Sequence, residues 1–96
     1  MTIEQKELLR IEVLNFLARR HLAAFNAKQI AVRLRTDRAL DFEVTDAEVN
    51  DACGLLLKLG QVQELAELEF EVIPHYQATG KGVIQSEKWR AARGMI

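Results

Sequence analysis

Few side chains in this 96-residue chain can do covalent or acid-base chemistry: one cysteine, Cys53, one serine, Ser86, and two histidines, His21 and His75. A nucleophile needs an oriented base beside it. Cys53 falls in an apolar helical run, where a thiol behaves as a small buried hydrophobe, and Ser86 is the only other candidate. The histidines follow the first helix and sit in the hairpin, without the further ligands at recognisable spacing that zinc requires. They read as surface or helix-end residues. Ala78-Thr79-Gly80-Lys81-Gly82 approximates a phosphate loop, but that pattern needs a Gly four residues before Gly-Lys and a Ser or Thr after it. Gly82 follows Lys81 instead, so the segment reads as a turn. Glu67, Glu69 and Glu71 share one strand face without the converging geometry calcium needs. No enzyme, cofactor or metal site is expected.

What remains is binding, and composition bounds it. Apolar residues make up 49% of the chain and charged ones 28%, a globular composition, and the length suits one domain over residues 1–96. No run approaches the roughly 18 apolar residues of a membrane span, and Met1 to Lys6 lacks the basic and apolar regions of a leader. A lone cysteine precludes an internal disulfide, and together these predict a cytoplasmic protein. The net charge of −1 conceals three blocks: +4 over residues 1–40, −8 over 41–75 and +3 over 76–96.

Side chains that can accept from free backbone amides mark three helix starts. Thr2-Ile3-Glu4-Gln5 and Thr45-Asp46-Ala47-Glu48 have capping-box spacing, and Asn26-Ala27-Lys28-Gln29 is a close relative. Leu9, Val13, Phe16 and Leu17 stripe the first helix. Ile30, Ala31 and Leu34 line a second of about nine residues, and Val49, Ala52, Cys53, Leu56 and Leu59 face inward on a third that stops at Gly60. Leu40 to Val44 alternates as a short strand, and Val62–Leu65 and Ala66–Val72 alternate as a hairpin. Pro74 marks an edge or turn before His75–Ala78, and Val83–Arg93 has the periodicity of a last helix.

The order helix, helix, short strand, helix, hairpin, helix resembles the winged-helix family. Asn26–Leu34 would be its second helix, Thr45–Gly60 its recognition helix, and Leu59-Gly60-Gln61-Val62 the entry to its wing. His75 to Gly82 is similar to the strand that leaves the wing and turns into a helix. The resemblance implies an α+β fold with a three-helix core, a β-hairpin wing and a C-terminal helix. It also implies DNA binding as the commonest role, although fold alone does not choose a function.

The charges argue against a standard docking. The outward candidates on the third helix are Asp46, Asn50, Asp51, Gly54 and Lys58, of which Asn50 and Lys58 alone favour a polyanion, and a row of wing glutamates opposes one. Leu55-Leu56-Leu57 point in three directions and cannot all face one core, so either they leave apolar surface exposed or the first and last helices cover both sides of the third. The leading expectation is therefore a non-enzymatic adaptor that docks onto another protein or itself, as a dimer for example, through Leu55, Leu68, Phe70, Val72 and Trp89. Trp89 reads first as a lid over the core and second as an interface anchor. The alternative is a DNA-binding transcriptional regulator that uses a basic face from the first half, Arg33, Arg35 and Arg38, with Asn50 and Lys58.

Overall fold

The three predicted caps set the frame. A computed structural model of the chain describes residues 1–65 and 73–94, the last two by backbone alone. Helix α1 (Ile3–Arg19), α2 (Ala27–Thr36) and α3 (Asp46–Lys58) each start with a complete capping box. At α2, for example, Gln29 N–H donates to Asn26 Oδ1 at 2.8 Å while Asn26 N–H donates to Gln29 Oε1 at 3.0 Å, so two amides left open by the helix start are satisfied together.

Helix α3 ends as Gly60 predicts. Gly60 sits at φ 73°, its N–H donates to Leu57 O, and Gln61 N–H donates back to Leu56 O. This paired closure needs a left-handed residue, which glycine adopts without steric cost. Helix α2 closes the same way with Arg38 at φ 50°. The core lies between α1, α2 and α3, with Val13, Leu14, Leu17, Ile30, Val49, Cys53 and Leu56 wholly buried. The Phe16 and Phe25 rings meet edge to face at 5.0 Å, and the Arg20 guanidinium lies over the Phe16 ring at 4.2 Å from its centre.

The sheet is β1 (Phe25–Asn26), β2 (Val62–Leu65) and β3 (His75–Ala78), ordered β1-β3-β2 and antiparallel throughout. Val62 lies opposite Ala78 and Leu65 opposite His75, which closes the base of the hairpin. The expected strand at Ala66–Val72 lies outside the described residues.

Helix α4 spans Gly80–Gly94 and starts earlier than the expected Val83. Thr79 Oγ1 accepts from Gly82 N–H at 3.1 Å, so the segment read as a turn is the cap and first turn of the helix. Two further expectations are corrected. Leu40–Val44 is not a strand: it pairs with no strand among the described residues, and Arg35 donates to the Val44 carbonyl at 2.9 Å. Its alternation reflects burial alone, with Val44 in the core and Leu40 and Phe42 packed on it. The strand beside the hairpin is β1 instead, before α2. Leu59 is 41% exposed rather than inward, because it caps α3 one residue past the last helical turn.

Candidate nucleic-acid interface

Helices α2 and α3 pack against each other, joined by residues 37–45, and the exterior of α3 lies beside the hairpin. Asn50 and Lys58 are exposed on α3. Asn50 is also tied to the sheet: the Tyr76 hydroxyl donates to its Oδ1 at 3.0 Å. Tyr76 is buried, and burial raises its hydroxyl pKa above the usual range.

Asp46 and Glu48 of α3 are engaged within the fold. Glu48 Oε1 accepts from the N–H and the hydroxyl of Thr45 at 2.9 and 3.0 Å, and those bonds lower its carboxyl pKa. Asp46 Oδ1 lies 3.8 Å from Arg35 Nη2. Asp51 lines a groove of about 180 Å³ with Lys6 and Arg10 of α1. Asp46 thus has a cation close by and Glu48 serves as a cap, an arrangement that net charge along the chain does not reveal.

The arginines divide between two places. Arg33 is exposed on α2 and shares a shallow surface with Phe25, Lys28 and Val32. Arg35 and Arg38 line a separate hollow that also takes in Glu12, Asp41 and Glu43. The predicted set is therefore not one basic face: Arg33 and Lys28 stand apart from Arg35 and Arg38.

Of the residues expected at a protein interface, Leu55 is 41% exposed, and Leu57 and Leu59 are exposed beside it in sequence. Leu56 alone of the three consecutive leucines is buried. Trp89 is half-buried and packs on the core. Leu68, Phe70 and Val72, with the wing glutamates, lie outside the described residues.

Burial pushes the Cys53 thiol up to about 12, so it supplies no thiolate at neutral pH. Ser86 is buried and donates to Asn15 Oδ1 at 2.6 Å. His75 Nδ1 lies 3.0 Å from the Ile73 carbonyl oxygen. Among the described residues no three His, Cys, Asp or Glu side chains are placed to hold a metal, and no helix is long and apolar enough to cross a membrane. The residue that the sequence reading missed is Tyr76. Its signal was the alternation His75-Tyr76-Gln77-Ala78, which places Tyr76 and Ala78 on the inner face of a strand.

Neither a family model nor a curated protein sequence matches the chain. Solved structures do. A PadR-like transcription factor from Bacteroides fragilis superposes with a TM-score of 0.74 at 17% identity, over 96% of this chain and 85% of that one. A transcriptional regulator from Clostridium thermocellum gives 0.73 at 14% identity, over 99% and 93%. A ZitR mutant from Lactococcus lactis gives 0.67 at 16% identity, over 91% of this chain and 52% of its own. At these identities the likeness is one of architecture: the chain has the α+β winged-helix fold.

Proposed function

We propose that this chain is a non-enzymatic, cytoplasmic DNA-binding regulator that presents α3 to the major groove and Arg33 and Lys28 of α2 to the phosphates. The observation that carries this reading is the exterior of α3. Asn50 and Lys58 project from it, while Asp46 and Glu48 are turned onto Arg35 and Thr45. Arg35 offsets the charge of Asp46 in part, and the likeness to solved transcription factors favours DNA over a protein partner.

Duplex binding measured across salt concentrations tests it. Affinity is expected to fall steeply with salt, and Arg33→Ala and Lys58→Ala are each expected to weaken binding to all sequences and to flatten the salt slope by about one unit. Binding that ignores salt, or is indifferent to both substitutions, refutes the proposal.

Self-association or docking onto another protein is a second reading, supported by the exposure of Leu55, Leu57 and Leu59 on a chain of this size. Leu55→Glu and Phe70→Glu are expected to dissociate such a dimer in sedimentation measurements. A wild-type monomer at high concentration argues against self-association.

A further inference from the structure

We infer that Asn50, oriented by Tyr76, is the specificity-determining side chain of α3, and that it reads a base edge made of acceptors, guanine above the others. The inference rests on the DNA-binding reading above and deepens it.

Tyr76 is 5% exposed, so its ring is held by the core and its hydroxyl has a fixed position at the surface of β3. The 3.0 Å bond to Asn50 Oδ1 then fixes the oxygen end of the amide against the sheet. The Nδ2 end is left pointing away from Tyr76, with two protons to donate. Asn50 is the fifth residue after the cap Thr45, in the N-terminal half of α3, the part of a recognition helix that reaches base edges.

Its neighbours on that face leave room for a base to approach. Ala47, three residues before, is exposed and small. Gly54, four residues after, has nothing within 4 Å of where a Cβ would stand. Asn50 is thus the polar group standing between two low positions.

An asparagine with both ends of its amide available pairs with adenine, donating to N7 and accepting from N6. Committing the oxygen to Tyr76 biases the side chain towards donation. Guanine offers N7 and O6, two acceptors and no donor, on its major-groove edge, whereas cytosine offers a donor that Nδ2 opposes. Tyr76 is accordingly a positioning residue, acting through Asn50 without touching the base.

Selection of bound duplexes from a randomised pool tests this. Wild-type protein is expected to select guanine at one position, and Asn50→Ala to reduce that preference roughly tenfold with the salt slope unchanged. Tyr76→Phe keeps the ring in the core and releases the amide, so selection at that position is expected to move towards adenine. Salt-dependent binding with the same selected sequence in all three proteins overturns this inference alone. A wild-type protein that binds no duplex overturns the DNA-binding reading and this inference with it.

Discussion

The α-carbon of Gly82 rests against the backbone carbonyl of Gln61, so closely that a methyl group there would overlap the oxygen and come 3.1 Å from Leu14 Cδ1. The same carbonyl accepts from Thr79 N–H, and the Thr79 hydroxyl donates to Gly60 O at 2.8 Å. These contacts seat the first turn of α4 on the end of α3. Gly82→Ala is expected to destabilise the protein by about 2 kcal/mol or more in urea unfolding, since backbone rather than a movable side chain must give way. Gly54→Ala, where a methyl meets open space inside α3, is expected to stabilise by about 0.5–1 kcal/mol. Equal effects at the two positions would remove the close approach as the reason for Gly82.

Ser86 and Asn15 join α4 to α1 through one hydrogen bond of 2.6 Å between side chains almost wholly buried. Ser86→Ala removes the donor and is expected to cost about 1–3 kcal/mol, because an acceptor in a dry site loses its partner. Adding Asn15→Leu is expected to recover part of that loss by removing the stranded group. A double variant less stable than the sum of the two singles would contradict this.

Cys53 gives the protein a pH dependence at alkaline pH. The unfolded thiol ionises near pH 9.0, while the buried thiol keeps its proton to about 12. Above pH 9 the unfolded state therefore holds fewer protons than the folded one, and stability falls as pH rises, by at most about 1.4 kcal/mol per unit. Below pH 9 this contribution is fully present. Tyr76, also raised by burial, acts in the same direction from its ordinary 10.0 upward. Cys53→Ala is expected to flatten the stability curve between pH 9 and 10; a curve parallel to wild type would count against burial of the thiol.

Arg38 holds the left-handed position that closes α2, where Ala39 N–H donates to Leu34 O at 3.1 Å. A side chain there costs about 1 kcal/mol that glycine avoids. Arg38→Gly is expected to raise the thermal midpoint, and a lowered midpoint would show that the Arg38 side chain stabilises the hollow it lines.

The helices were legible because their signals are local. Thr2, Asn26 and Thr45 each bond to a backbone amide three residues on, and Gly60 relaxes a turn within its own neighbourhood, so no distant residue alters either preference. Leu40–Val44 was misread because alternation reports burial, whereas a strand also needs a partner to take its amides. The start of α4 was missed because Thr79-Gly80-Lys81-Gly82 carries two glycines that suggest a turn, and the reason Gly82 must be glycine, the carbonyl of Gln61, lies across the fold.

The candidate interface divides the same way. The sequence by itself determined which charges and amides α3 would present, because helical period and a fixed cap decide what faces out. Only the tertiary structure decided their chemistry. Arg35 reaches Asp46, Glu48 folds back on Thr45, Arg38 shares a hollow with Glu12, Asp41 and Glu43, and Tyr76, 26 residues from Asn50, bonds to its amide. Charge and hydrogen bonding depend on distances of a few ångströms between groups far apart in the chain, and packing alone sets those distances.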